Sequence, residues 1–317
     1  MIMPTGSPGL MKMPAGPPGH GKWSSMDNQR SKNKGIFLVA VSAVAFGLLP
    51  IFTKIAYAAG AGTYTLLFLR YLVAASFMFL LVRVKELPLP PGRDIAAYLL
   101  LGMIGNAGMS FCYFTALRYT SSGVAALLLY TYPAMVMAGS AILFKEKVTG
   151  SKILALFLAL AGAFIIIGAD FRANVTGFVF AVLAAVIYSG YILASSRIIK
   201  DGMSIQASAF IMLGAGIVFG ILNPLLEFAP PTGPQGILAL ILIALVCTVL
   251  SFWSFLTGLE MVGPSTAALV STLEPVVTVL ASVLILSEKL TARTVIGGCL
   301  VMAALFITSA GDRETQE

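Results

Sequence analysis

The sequence predicts an all-α integral membrane protein with ten transmembrane helices, arranged as two inverted five-helix repeats. Three observations carry this prediction: the composition, the spacing of the apolar runs, and a self-similarity at one fixed offset. Of the 317 residues, 58% are hydrophobic and 10% are charged, and the mean hydropathy is +0.95. Soluble domains usually carry about 25% charged residues, so only a bilayer can solvate this much apolar surface.

A helix that crosses a membrane needs roughly 20 mostly apolar residues. Ten such runs, numbered here as spans one to ten, are predicted at 35–59, 63–83, 94–116, 122–144, 152–169, 175–195, 206–227, 235–258, 265–287 and 293–310. The connectors between them are short. Residues 1–34, rich in Gly, Pro, Met and Lys, are expected to form a disordered cytoplasmic tail, and 311–317 a second cytoplasmic tail.

Basic residues set the orientation of the spans. With the N-terminus inside, fourteen Lys and Arg residues fall in inside segments, and four fall outside, namely Arg118, Arg172, Lys289 and Arg293. We therefore expect a multi-pass protein of the cytoplasmic (inner) membrane with both termini in the cytoplasm. The net charge of +7 follows from this topology. No basic face with interleaved aromatics is present, so a nucleic-acid partner is not expected.

Shifting the chain by 142 residues aligns it with itself without gaps. The aligned pairs include Pro133 with Pro275, Glu146-Lys147 with Glu288-Lys289, Thr149 with Thr291, and Gly35 with Gly177. Residues 35–169 and 175–310 are therefore predicted to be two repeats of five spans each. Because five is odd, the second copy is inverted, and inverted repeats place a site near the midplane where the halves meet.

Two aligned segments carry a family resemblance: "AALLLYTYPAMVMAGSAILFKEKVTGSKILALFLALAGAFIIIG" and "AALVSTLEPVVTVLASVLILSEKLTARTVIGGCLVMAALFIT". Each segment contains a proline, an E-K-x-T pattern and a Gly-rich span that follows, and span two contains the stretch "LRYLVAASF". In these features the chain resembles paired EamA domains of the drug/metabolite transporter superfamily over about 35–310. The resemblance implies ten spans in two EamA repeats. It also implies export or uptake of amino acids, amines, carboxylates or drugs, with efflux as the expected direction.

Glu274 is the sharpest candidate site residue, since it lies near the middle of span nine. A carboxylate at that depth costs on the order of 3 kcal/mol on insertion scales, so it should face a cavity or a partner. Desolvation favours its neutral form, which suits reversible protonation. It is either a proton- or cation-binding group or a structural hydrogen-bonding group. Its repeat equivalent is Tyr132.

Pro133 and Pro275 occupy equivalent positions in spans four and nine. Each lacks an amide hydrogen and crowds the carbonyl four residues back. Carbonyls freed at membrane depth are tolerated only near protein or water. The two prolines are therefore candidate hinges, or sites that bind an ammonium group, with a simple packing kink as the alternative.

Two basic residues lie within spans, Lys54 in span one and Arg70 in span two. They could form a vestibule that attracts anions. The alternative is that Lys54 snorkels to the headgroups while Arg70 is a hydrogen-bond donor between packed helices.

Aromatic and hydroxyl side chains recur in the spans that should line the interface between the repeats. The candidate substrate-binding residues are Tyr113, Tyr132, Tyr188, Trp253 and Thr272, alongside Tyr130, Tyr191, Ser110 and Ser254. Rings with polar tips suit an amphipathic substrate or an aromatic cage for amines. Each of them singly could instead serve packing.

A secondary transporter accounts for these features, with a channel or a non-transporting scaffold or sensor as the alternative. The phosphate loop of ATP hydrolysis, GxxxxGK[ST], does not occur. An enzyme is not expected, because the one histidine, His20, lies in the tail and neither an aspartate pair nor HExxH is present. We expect no metal and no cofactor. The expected partners are a small-molecule substrate, protons and the lipid bilayer, with the chain a monomer or homodimer.

Overall fold

A computed structural model describes residues 20–119, 128–167, 175–223, 228–286 and 292–314, and these ranges are helical throughout apart from short turns. The α-helices are α1 (His20–Gly47), α2 (Leu49–Ala58), α3 (Thr63–Val84), α4 (Gly92–Leu100), α5 (Ala107–Tyr119), α6 (Tyr132–Phe144), α7 (Gly150–Ile167), α8 (Val175–Ile198), α9 (Ser204–Leu222), α10 (Gly233–Ala244), α11 (Ser251–Val270), α12 (Glu274–Leu286) and α13 (Ala292–Glu314). None of the described residues forms a β-strand. The all-α class is confirmed.

Within the described ranges, six helical stretches are long and apolar enough to cross a membrane. They are Arg30–Ala58, Thr63–Val84, Gly92–Tyr113, Val175–Ile198, Ser204–Leu222 and Gly233–Ile285. The last is 53 residues long, and it is interrupted at Gly263, whose backbone is non-helical with φ 76° and ψ 167°. Three shorter apolar helices, Tyr132–Phe144, Gly150–Gly162 and Val295–Ala304, coincide with predicted spans four, five and ten.

The first helix begins earlier than the sequence suggested. Helix α1 starts at His20, so residues 20–34 of the expected tail are helical, while residues 1–19 lie outside the described part of the chain. After Pro18 the sequence has no further proline until Pro50. Since proline is the strongest helix breaker, the helix of span one extends back through this proline-free segment.

Large apolar side chains cover the outside of the bundle. Ile142, Phe157 and Leu284 are 78%, 69% and 81% exposed, respectively. In water such a surface would drive association, whereas in a bilayer it contacts lipid tails that are equally apolar. The outward face therefore fits a protein surrounded by lipid.

Helices that are equivalent under the 142-residue offset pack against each other in opposite directions. Phe68 of α3 contacts Gly220 of α9, and Phe79 of α3 contacts Phe210 of α9. Residue numbers thus rise along α3 while they fall along α9. Along α7 and α13, Gly162 packs against Gly297, while Ala155 and Ala159 share a cluster with Ala304. Both equivalent pairs are thus antiparallel.

The helix contacts are also preserved when the two halves are exchanged. Helix α1 packs against α11, and the equivalent contact is α5 with α8. Helix α6 packs against α8, and the equivalent contact is α1 with α12. Both of these contacts thus have an equivalent when the halves are exchanged.

Glycine permits the closest approach between the halves. A Cβ atom at Gly102 would lie 2.0 Å from the Ile211 carbonyl oxygen, and one at Gly214 would lie 2.4 Å from the Leu99 carbonyl oxygen. Backbones this close leave no room for any side chain. Gly102 and Gly214 therefore serve packing.

Candidate functional site

Glu274 lies at a break in its span. Helix α11 ends at Val270, a 3-10 turn covers Ser271–Leu273, and α12 begins at Glu274. Pro275 is the second residue of α12, where the missing amide costs no hydrogen bond because the first amides of a helix have no partner within it. Span nine is therefore a discontinuous helix, and Glu274 is the first residue of its second segment.

The equivalent proline has the same local role in the first half. Pro133 is the second residue of α6, which begins at Tyr132 after a turn at Tyr130 and Thr131. Tyr132 and Glu274 thus both begin a helix at matching positions of the two repeats. The two prolines lie at helix starts within their spans and not in helix interiors.

Four tyrosines lie near Glu274. The Tyr130 hydroxyl donates a hydrogen bond to the Glu274 carboxylate. Tyr113, Tyr132 and Tyr188 are close enough to interact with the same carboxylate electrostatically. The Tyr132 and Tyr188 rings meet edge to face with centroids 4.7 Å apart.

These five side chains come from both repeats. Tyr113, Tyr130 and Tyr132 belong to the first repeat, whereas Tyr188 and Glu274 belong to the second. The structure thus brings four predicted site residues together with Tyr130 at the interface of the halves.

Helix α1 holds the backbone at Glu274 in place. A Cβ atom at Gly47 would lie 2.9 Å from the Glu274 carbonyl oxygen. The Thr278 hydroxyl bonds to the Gly47 carbonyl at 2.9 Å and to the Glu274 carbonyl at 3.1 Å. The end of α1 is therefore packed on the first turn of α12, so the position of the carboxylate depends on how the two helices sit.

Arg70 is buried and bridges the repeats. Its side chain is 6% exposed, and its Nε donates to the Thr248 hydroxyl at 2.7 Å. The guanidinium carbon lies 4.9 Å from the centroid of the Tyr71 ring. Arg70 is therefore a hydrogen-bond donor between packed helices, and its terminal nitrogens have no hydrogen-bond partner among the described residues.

Arg70 and Glu274 do not form an ion pair within the described part of the chain. The Cys247 thiol, next to Thr248, interacts electrostatically with both of them. Both charged groups therefore lie in the same region of the bundle as Cys247.

The remaining candidates are Trp253, Thr272 and Lys54. The Trp253 side chain, on α11, is half-buried and makes no ring contact with the tyrosines in the described structure. Thr272 is buried, and its hydroxyl donates to the Leu269 carbonyl at 2.6 Å. Lys54 is exposed on α2.

Sequence reasoning overlooked Thr248, the acceptor for Arg70. Thr248 lies in a π-helical turn, Leu245–Leu250, and its hydroxyl also donates to the Ile243 carbonyl at 2.8 Å. Its repeat equivalent, Asn106, ends a second π-helical turn, Leu101–Asn106, and is 2% exposed with an Nδ2 that has no described partner. Two polar residues in register at the 142-residue offset were the signal in the sequence.

A polar cluster joins the repeats at one end of the bundle. Glu146 follows α6, and its carboxylate accepts hydrogen bonds from Ser140, from Lys152 at 2.6 Å and from Ser265 of the second repeat at 2.8 Å. Burial opposes ionisation of Glu146, but the hydrogen bonds and the Lys152 charge outweigh it and lower the pKa of the carboxyl group. Glu146 therefore remains ionised near neutral pH.

The described residues hold no group of three or more His, Cys, Asp and Glu side chains that could bind a metal ion. All three cysteines are free, with Cys112 and Cys247 buried and Cys299 exposed.

Long apolar helices with a lipid-facing exterior and a polar cluster inside define a multi-pass α-helical membrane protein. A sequence model of the EamA-like transporter family matches residues 33–168 and again 175–310. The chain therefore belongs to the EamA-like transporter family, with two copies of the domain. This confirms the resemblance found in the sequence.

Relatives with the word transporter in their names match along most of their length. The "Uncharacterized transporter YcbK" of Bacillus subtilis is 27% identical over 289 residues, covering 84% of this chain and 90% of the relative. An "Uncharacterized transporter" of Haemophilus influenzae is 28% identical over 258 residues, covering 78% and 83%. One solved crystal structure superposes with a TM-score of 0.78 and 19% identity over 87% of this chain and 98% of that chain, a likeness of fold.

Proposed function

We propose that this chain is a secondary carrier that exports small ammonium-bearing metabolites across the cytoplasmic membrane by alternating access, with Glu274 as the proton-binding group. The observation that carries the proposal is the Glu274 carboxylate, which lies near tyrosines from both repeats. A carboxylate at this depth binds either a proton or a cation, so the two compete for one site. Competition of this kind couples proton entry to cargo exit.

An ammonium-bearing cargo suits the chemistry of the cluster. Carboxylate oxygens and tyrosine hydroxyls accept hydrogen bonds from an ammonium group, and tyrosine rings attract cations. The terminal nitrogens of Arg70 have no hydrogen-bond partner among the described residues, and a carboxylate on the cargo would suit them, so the proposal includes amino acids as well as simple amines. A cargo that carries only a carboxylate would meet Glu274 as a like charge.

The membrane arrangement is part of the same proposal: ten spans, inverted repeats and cytoplasmic termini. The antiparallel packing of α3 with α9 and of α7 with α13 supports inversion, because equivalent helices run in opposite directions. Reporter fusions after residues 145 and 289 test it directly. We expect the first to report the cytoplasm and the second the exterior; reports from the same side would refute inverted repeats.

Transport in proteoliposomes tests the role of Glu274. We expect Glu274→Gln to abolish proton-driven uptake and to remove the pH dependence of counterflow, because the amide does not titrate. Tyr130→Phe is the matched control: it removes the hydrogen bond to Glu274 while leaving the titrating group, so coupling should persist with a shifted pH profile. Wild-type rate and pH dependence in Glu274→Gln would exclude the proposed role.

Cargo class and direction need separate measurements. Metabolite profiling of cells and medium, with and without overexpression, should show an amine or amino acid that accumulates outside. The same compound with its amino group acetylated should not be transported. Transport of the acetylated compound at an equal rate would contradict recognition of the ammonium group.

A further inference from the structure

A polar cavity lies away from Glu274, at the end of the bundle where α6 ends and α7 begins. Its volume is about 310 Å³, and its polar lining consists of Lys32, Glu146, Lys147, Thr149, Lys152 and Thr266. It is therefore formed by α1, by the α6–α7 connector, by the first turn of α7 and by α11. Nothing in the proposed transport cycle makes use of this cavity.

The lining has an excess of positive charge. Lys32, Lys147 and Lys152 face one carboxylate, Glu146, and three positive charges against one negative leave a net charge of +2. Glu146 is already occupied, since it accepts hydrogen bonds from Lys152 and two serines. Among the described residues, neither Lys32 nor Lys147 has a carboxylate within salt-bridge distance.

Two further features of the cavity favour an anion. Thr149 immediately precedes α7, an 18-residue helix, and its hydroxyl accepts the Lys152 amide at 3.3 Å, as an N-cap does. The positive end of the α7 dipole therefore points to the cavity, and no atom packs within 4 Å of the Cβ position at Gly150. The hydroxyl group of Thr149 adds a hydrogen-bond donor at the wall of the cavity.

We propose that this cavity binds a phosphate-bearing anion, with the headgroup of an anionic lipid as its source. Ammonium groups, hydroxyls and a helix start are the groups that proteins use for phosphate. The cavity lies at the ends of the spans, at the level of the headgroups, where basic residues attract anionic lipids. Free phosphate has the same chemistry and is the other source that the test must separate.

The site is independent of the cargo and of the coupling ion, and it requires only that the chain spans a membrane. Its occupant would lie beside the Glu146–Ser265 hydrogen bond that joins the repeats. Binding there would therefore favour the arrangement in which this end of the bundle is closed.

Native mass spectrometry of the full chain, with phosphatidylglycerol or phosphatidylcholine added, tests the lipid source. We expect wild type to retain phosphatidylglycerol preferentially. The double variant Lys32→Gln, Lys147→Gln should bind it about tenfold or more weakly, because it removes two of the three ammonium groups that line the cavity. Lys85→Gln is the matched control, an exposed lysine outside the cavity, and it should bind like wild type.

A second arm measures the unfolding temperature in detergent with inorganic phosphate against chloride at constant ionic strength. Phosphate could raise the unfolding temperature of wild type but not of the double variant, while phosphatidylglycerol is not preferentially retained. That result would support the site with free phosphate as its ligand. If neither probe separates wild type from the double variant, or if Lys85→Gln loses as much binding, the proposal is overturned. The single variants serve the same comparison if the double variant does not fold.

Discussion

Ser265→Ala should open the end of the bundle that Glu146 closes. The substitution removes the 2.8 Å hydrogen bond from the Ser265 hydroxyl to the Glu146 carboxylate, which joins residues 119 positions apart in different repeats. Hydrogen bonds to charged groups contribute about 1.5–3 kcal/mol. Because the Glu146 side chain is 25% exposed, solvent screening reduces this to about 1–2 kcal/mol, roughly a 5- to 30-fold shift in the opening equilibrium.

Hydrogen–deuterium exchange measures this opening, since amides exchange when a local structure opens. We expect exchange across residues 262–268 to rise by that factor in Ser265→Ala. Ser140→Ala is the matched control: it removes a hydrogen bond to the same carboxylate from within the first repeat, so exchange in 262–268 should change little. Wild-type exchange in Ser265→Ala, or an equal rise in both variants, would refute the reasoning.

The remaining predictions concern stability, measured by thermal or denaturant unfolding in detergent. Thr248→Val should lower the free energy of unfolding by about 1–3 kcal/mol, since buried Arg70 loses its acceptor. Thr248→Ser keeps the hydroxyl acceptor and should retain most of the wild-type stability. Gly102→Ala should lower the free energy of unfolding by about 1–3 kcal/mol, because the new Cβ atom would overlap a backbone carbonyl. Gly190→Ala is the control and should not lower it, because no atom lies within 4 Å of the Cβ position at Gly190. Because the pKa of Glu146 is lowered from its ordinary 4.5, its stabilising contribution is present above that pH and is lost as pH falls through the lowered pKa. The stability difference between wild type and Glu146→Gln should thus be constant from about pH 8 to 5 and shrink below about 4.

Much of the architecture could be predicted from local sequence. Apolar runs, the Gly and Pro breaks and the 142-residue offset depend only on residues near one another or on a fixed spacing. Glu274 stood out for the same reason, because a carboxylate within an apolar run is costly whatever its neighbours are. These features identified the family and the centre of the candidate site.

The partners of the candidate residues could not be predicted in this way. Arg70 and Thr248 are separated by 178 residues, and whether they meet depends on the rotation and register of two helices. The same holds for Glu146 with Ser265, for the lysine cavity, and for Tyr130, which contributes the hydrogen bond to Glu274. The extent of α1 was also missed, since the apolar run marks where a span lies and not where its helix begins.

The sequence by itself determined that this chain is a membrane-embedded helical bundle with a duplicated domain and a carboxylate at membrane depth. Composition and periodicity suffice for that, because the penalty for placing a polar group in lipid is a property of each residue and its depth. Only the tertiary structure decided which polar groups meet. Close glycine contacts and helix breaks set the rotation of each helix, and that rotation selects the partner of every buried side chain.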